Sequence, residues 1–367
     1  MPNDAAVQIQ GEVDDALDSV SGKGGGGTRP LRVLALDGGG IRGVIPATLL
    51  AEIENKTGKR IAEMFDLVAG TSTGGILALG LATPDPNDAS KPRYTAEELV
   101  GMYAEKGNVI FRQSFGRRLL TLFGLFGSKY AVRGLDETLR TYFGDSRLKD
   151  AVTEVLITSY DLVKRDSWFL ARHKARDDSA SSDFPMVRVA RATSAAPTYF
   201  RPERLTVDPP TAMIDGGVHS NNPAMCAWVE TVKIHGEQDI VLVSLGTGQV
   251  KTPISYAKAR AWGLIGWVRP LFGIFMDGVA ATVEHELGWL LTPHNGQQRY
   301  FRFQTELPPG MGAMDDTSPE HIAALKHQAQ LIIDGNKKEL DDLCVLLSDM
   351  RPLPPDKPAA AVPSAAA

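Results

Sequence analysis

Two glycine-rich turns are where this chain's residue types and spacing could do chemistry. Gly70-Thr71-Ser72-Thr73-Gly74 follows the apolar run from Phe65 to Ala69. A G-x-S-x-G spacing sets a serine on a tight strand-to-helix turn, with Gly70 and Gly74 where side chains would clash. A serine so placed is a candidate nucleophile for acyl transfer. Asp37-Gly38-Gly39-Gly40-Ile41-Arg42-Gly43 follows the apolar run Leu31 to Leu36. It offers bare backbone N–H groups at a helix N-terminus, which suits an anion or a developing oxyanion.

The serine needs a base. None of the seven histidines, at 173, 219, 235, 285, 294, 321 and 327, sits in a strand-end loop flanked by small residues. Asp215 is the better candidate, on the glycine turn Met213-Ile214-Asp215-Gly216-Gly217. An aspartate is a poor base at its ordinary pKa of about 3.9. Partial desolvation lets it accept the proton as the transition state forms. Asp-Gly is also a common turn pair and G-x-S-x-G also marks plain loops, so on the residues alone both readings stand. The first turn satisfies G-x-G-x-x-G as well, a dinucleotide fingerprint that wants an acid at the end of the next strand. That strand ends Ala69-Gly70-Thr71-Ser72, and its one acid, Asp66, lies at the start, so a dehydrogenase is set aside.

Elements that would position these turns follow from periodicity. Leu31–Leu36, Phe65–Thr71, Glu154–Ser159, Ser167–Leu170 and Ile240–Leu245 read as strands. Helices are predicted at Val44–Lys56 with a stop at Gly58, then Gly75–Leu81, Ala96–Gly107, Gly134–Tyr142, Met186–Ser194 and Pro319–Leu347, the last broken near Gly335. The β-α-β-α order with short connections predicts an α/β fold with a mostly parallel sheet and helices on both faces. Two stretches read as core helices or as lipid-facing or lid elements: Phe111–Tyr130, with Arg112, Arg117, Arg118 and Lys129 among aromatics, and Trp262–Trp289, rich in Trp, Phe, Leu and Met.

The 367 residues are 43% hydrophobic with a net charge of −5, an ordinary globular composition with nothing global that points to nucleic acid. Two distant cysteines, Cys226 and Cys344, fit a reduced cytoplasmic compartment. Residues 1–29 read as a disordered tail and Gly-rich linker, 30–350 as the catalytic domain and 351–367 as a disordered Pro/Ala-rich tail. No secretory signal or membrane span is expected.

The motifs in order resemble the patatin-like phospholipase family from about Pro30 to Leu347. Asp37-Gly38-Gly39-Gly40-Ile41-Arg42-Gly43 resembles its oxyanion motif, Gly70-Thr71-Ser72-Thr73-Gly74 its elbow and Asp215-Gly216-Gly217 its catalytic aspartate motif. Ala192–Phe200, Asn221-Asn222-Pro223 and Ser244–Gly248 match as well. The resemblance implies a patatin-like three-layer α/β/α fold and a phospholipase A type lipid acyl hydrolase acting at a membrane surface on phospholipid or another fatty-acyl ester. It implies a Ser72–Asp215 dyad, an oxyanion hole from Gly38, Gly39 and Gly40, Arg42 ordering that loop or meeting a phosphate, and no cofactor or metal. A narrower resemblance, to plant patatins and to bacterial patatins, rests on Trp262–Trp267. Some of the bacterial proteins serve antiphage defence and are switched on by a cyclic dinucleotide. It adds such an activator as an expectation, with Arg112, Arg117, Arg118 and Arg269 as phosphodiester contacts. The alternatives are an unregulated esterase or acyltransferase on smaller esters, and a storage or binding protein that kept the fold. Oligomeric state is left open.

Overall fold

Alternation along the first strand decides the layering. In β1, Leu31–Leu36, the side chains of Leu31, Val33 and Ala35 join one apolar cluster and those of Leu34 and Leu36 another, and every residue is buried. A strand buried on both faces needs helices on both, and the computed structural model shows them. It describes residues 28–111, 128–207, 210–236, 238–251, 253–294 and 296–353, without the side chains at 264, 265, 268, 269 and 272.

The other strands are β2 (Leu67–Thr71), β3 (Glu154–Asp161), β4 (Asp166–Ala171), β5 (Met213–Asp215), β6 (Ile240–Leu245) and β7 (Tyr300–Phe303). The sheet order is β4-β3-β2-β1-β6-β7, with β5 also paired to β3. The pairs from β3 through β7 along that order are parallel, whereas β4 and β5 run antiparallel to β3. Helices of eight residues or more are α1 (Val44–Thr57), α2 (Thr73–Ala82), α3 (Ala96–Ile110), α4 (Val132–Phe143), α5 (Met186–Thr193), α6 (Ala224–His235), α7 (Leu264–Leu290), α8 (Pro319–Gly335) and α9 (Lys337–Ser348). Residues of α1 to α5, α8 and α9 pack in the larger cluster on one face of the sheet. Residues of α6 and of the C-terminal half of α7 pack on the other. The result is the three-layer α/β/α arrangement with a mostly parallel sheet that the sequence predicts.

Differences lie where local signals are weak. β5 and β7 have three and four residues, too few for a period to show. The apolar stretch after Trp262 forms one 27-residue helix with Pro270 inside it, not a helix pair. Of the stretch Phe111–Tyr130, residues 112–127 fall outside the described residues.

The candidate turns sit at the C-terminal ends of β1, β2 and β6, where open α/β sheets hold their ligands. Glycine lets them crowd together. A Cβ on Gly70 would lie 2.2 Å from the Gly74 carbonyl oxygen and 2.5 Å from the Gly75 nitrogen, both backbone atoms that cannot turn aside. Gly273, on α7, would meet nothing within 4 Å. Gly70→Ala should therefore cost roughly 3 kcal/mol or more of stability by overpacking. Gly273→Ala should be neutral or stabilising by up to about 1 kcal/mol through helix propensity. Urea unfolding of the two variants checks the contrast.

Candidate active site

Register brings the two candidate residues together. Thr71, the last residue of β2, pairs with Thr158 of β3, and the next residue of β3, Ser159, pairs with Asp215 of β5. The Thr71 and Thr158 hydroxyls hydrogen-bond at 2.7 Å, and Thr71 Oγ1 also donates to the Ser220 carbonyl at 2.6 Å. Gly216 passes so close to β3 that a Cβ would lie 2.2 Å from Thr158 Oγ1. Ser72 and Asp215 thus emerge side by side at the end of one sheet.

Ser72 sits at the entry to α2 with φ 56° and ψ −121°. A non-glycine residue in the positive-φ region stores about 1–3 kcal/mol of backbone strain, which the surroundings must hold. The Ser72 N–H donates to Thr193 Oγ1 at 2.8 Å, and its carbonyl accepts from the Ile76 N–H at 3.0 Å. Its hydroxyl donates to Asp215 Oδ2 at 2.6 Å. The other carboxylate oxygen, Oδ1, accepts the Gly217 N–H at 2.8 Å. Asp215 is only 4% exposed. Burial pushes its pKa from 3.8 up to about 6, against the lowering pull of the Ser72 hydroxyl and the Gly217 amide.

The glycine loop after β1 lies beside this pair. Gly38 backs onto Ser72, and a Cβ there would come 3.3 Å from Ser72 Cβ and 2.5 Å from Asn221 Oδ1. Its N–H, expected among the oxyanion donors, donates instead to the Asn221 carbonyl at 3.0 Å, because that carbonyl caps the loop from the side of Asp215. The Gly38 carbonyl accepts Thr247 Oγ1 at 2.7 Å. The Gly39 and Gly40 N–H groups take no acceptor among the described residues. Gly40 has φ +60°, and a Cβ on it would meet the Met314 carbonyl oxygen at 2.2 Å. Arg42 donates to the carbonyls of Gly39 (3.3 Å) and Gly248 (3.2 Å), so it ties the loop to the turn after β6. Below the loop, Arg302 of β7 grips Asp37 with two hydrogen bonds of 3.1 and 2.7 Å and donates to Ser244 at 2.8 Å.

Ser72 and Asp215 open into a cavity of about 780 Å³ including its mouth. Most of its wall is apolar, with Ile41, Ile76, Ile110, Phe111, Leu135, Phe200, Met276 and Met314. No histidine lines it. His219, four positions after Asp215, turns its ring to the Ser159 carbonyl (3.1 Å) and to Phe169. A hydroxyl on a buried carboxylate, unpaired amides beside it and an apolar pocket together suit an ester of a long acyl chain.

Comparison with known proteins identifies the family. The family model for "Patatin-like phospholipase" matches residues 34–228. Patatin-like protein 2 of Oryza sativa subsp. indica is 32% identical over 351 residues, covering 84% of this chain and 85% of that protein. Patatin-08 of Solanum tuberosum is 30% identical, covering 80% and 81%. Among solved structures, VipD of Legionella pneumophila aligns with a TM-score of 0.38 at 11% identity over 87% of this chain and 73% of that one. The chain belongs to the patatin-like phospholipase family, and its class is lipid acyl hydrolase.

The sequence marks Ser72, Asp215 and the glycines that let them meet. It misses the parts that hold them. Thr193 and Asn221 lie inside matched motifs without a role, and Arg302 lies in a strand too short to be recognised.

Two consequences of the Asp215 environment can be measured. If Asp215 is the base the sequence predicts, it must be ionised to act, so kcat/KM on a soluble ester should rise with pH through an apparent pKa near the value of about 6 and then level off. The raised pKa also bears on folding. The folded state holds this proton more tightly than the unfolded chain between 3.8 and about 6, so stability present below that window is lost as pH rises through it. At pH 7 the loss is on the order of 3 kcal/mol. Asp215→Asn should therefore melt higher than wild type at pH 7 and show no such gain at pH 3.5, by differential scanning calorimetry.

Proposed function

We propose that this enzyme is a phospholipase A type hydrolase that cleaves fatty-acyl esters of phospholipids with Ser72 as nucleophile and Asp215 as its base. The observation that carries the reading is the 2.6 Å contact from Ser72 Oγ to a buried Asp215 at the polar end of an apolar cavity. Ser72 Oγ attacks the ester carbonyl carbon while its proton passes to Asp215 Oδ2. The tetrahedral oxyanion takes the N–H groups of Gly39 and Gly40, each worth about 3 kcal/mol in the transition state. Gly38 anchors the loop through the bond of its N–H to the Asn221 carbonyl.

Collapse breaks the bond to the leaving alcohol, and Asp215 returns the proton to that oxygen, leaving the acyl group on Ser72. Water then attacks the acyl-enzyme with Asp215 again as base, and the fatty acid leaves as Ser72 recovers its proton. The apolar wall holds the acyl chain, so specificity for long chains comes from buried area rather than hydrogen bonds. Gly216 and Gly217 keep Asp215 in place, the first by its approach to Thr158 and the second by its N–H.

The regulated form of this reading adds a cyclic dinucleotide activator. Arg112, Arg117 and Arg118 lie outside the described residues, as does the side chain of Arg269. Vesicle hydrolysis with and without a panel of cyclic dinucleotides decides that form. Full activity without ligand, together with no binding by calorimetry, removes it. Among the described residues no helix is long and apolar enough to cross a membrane.

Ser72→Ala should lose fluorophosphonate labelling and at least about a thousandfold in hydrolysis of dispersed phospholipid, with wild type releasing free fatty acid and lysophospholipid by mass spectrometry. Hydrolysis of short soluble esters with no fatty acid released from phospholipid would favour the small-ester alternative.

A further inference from the structure

We propose that α7 and the segment leading into it form a docking face for an anionic phospholipid bilayer. This rests on the reading that Ser72 cleaves phospholipid. The helix carries two apolar faces. Successive residues turn by about 100° in an α-helix. On that wheel Met276, Ala280, Val283 and Leu287 share one side. The last three are buried, and Met276 is on the wall of the acyl cavity. Trp267, Leu271, Ile274, Phe275 and Trp289 fall within an arc about 100° wide on the opposite side. All five are exposed, Phe275 by 59% and Trp289 by 74%. Among the residues whose side chains are described, no Asp, Glu, Lys or Arg falls within that arc, which Gly278, Thr282 and His285 complete. A helix apolar on both sides is ordinarily covered on both. Here the described residues cover one.

Charge identifies what covers the other. From Gly246 to Met276 the sequence holds Lys251, Lys258, Arg260 and Arg269 and no aspartate or glutamate, in a chain whose net charge is −5. Lys251, Lys258 and Arg260 are exposed, beside the exposed Tyr256, in the loop and short helix Tyr256–Arg260 that enter α7. Trp262 and Trp267 meet edge to face at 5.1 Å just beyond. Cations bordering a long aromatic and aliphatic stripe match the boundary of an anionic bilayer, with phosphates at the Lys and Arg ends and acyl chains against the stripe. The stripe from Trp267 to Trp289 runs about 33 Å along the helix, so it would lie along a membrane surface. A protein partner would find in this arc few polar groups to fix its orientation. Position agrees with the chemistry, since Met276 faces the cavity between outward-facing Phe275 and an acidic neighbour, Asp277, whose charge acts on Arg42 of the glycine loop.

The test uses the full chain with Ser72→Ala, so that vesicles stay intact. Partition onto phosphatidylcholine vesicles with and without phosphatidylglycerol is read by co-sedimentation and by the tryptophan emission shift. Binding should be tighter to the anionic vesicles and weaken with salt. Adding Ile274→Asp and Phe275→Asp should weaken it at least about tenfold with a melting temperature that shows the protein folded. Adding Lys258→Glu and Arg260→Glu should remove the preference for phosphatidylglycerol. In the active enzyme the same changes should lower the ratio of vesicle to soluble-ester hydrolysis. Equal partition of all variants would overturn the proposal. So would self-association through this face, seen as a dimer that the Asp changes make monomeric with vesicle binding unaltered. Because partition is read without Ser72, a wild type that binds vesicles but hydrolyses nothing counts against the catalytic reading and leaves the docking face standing.

Discussion

The hydrogen bond from Ser72 Oγ to Asp215 joins residues 143 apart in sequence, and three constraints hold it. Parallel pairing of β2 with β3 and antiparallel pairing of β5 with β3 bring the two residues to one end of the sheet. The positive φ of Ser72 aims its side chain outward from the turn, and Thr193 fixes the amide that the strained turn would otherwise leave without a partner. Burial then decides the chemistry. Water around Asp215 would return the carboxyl to its ordinary range and weaken it as a base. In the proposed reaction the apolar wall that would accept an acyl chain also buries Asp215 and raises its pKa, so substrate binding and base strength share one cause.

A second buried pair sets the backbone on the other side of Ser72. Burial raises the Asp37 carboxyl and Arg302 acts in the opposite sense through charge and two hydrogen bonds. Such a pair gives little net stability, because both ions lose water. Its effect is on position. It fixes the first residue of the glycine loop to β7, while Arg42 fixes the middle of the loop to the turn after β6 and Met314 closes over Gly40. The loop is thereby set before substrate arrives, as amides must be if they are to act without reorganising during the reaction.

Much of this could be read from the chain. The strands Leu31–Leu36 and Ile240–Leu245 and the helix that stops at Gly58 follow from apolar runs and glycine punctuation, and the structure places them within a residue or so. Ser72, Gly70 and Gly74 could be read because a tight strand-to-helix turn admits few residue types. The antiparallel direction of β4 and β5 was not legible, since alternation does not encode direction. Nor was Arg302, whose partner lies 265 residues away. The N–H of Gly38 looked as free as those of Gly39 and Gly40, because the carbonyl that takes it belongs to Asn221, a neighbour only in three dimensions. On α7 the composition told of apolar residues but not that they divide between the core and a face that no described residue covers.

An ionisation near 6 does not by itself name its owner, because a histidine titrates near 6.5 in water. The measurement that separates the two is the rate of fluorophosphonate labelling of Ser72 against pH, in wild type and in Asp215→Asn. With Asp215 as the base, the wild-type rate rises through a single ionisation at about 6, while in Asp215→Asn the rate falls by about a thousandfold and the ionisation disappears. Near-normal labelling of Asp215→Asn with the same pH dependence would contradict the dyad and assign the proton to another group.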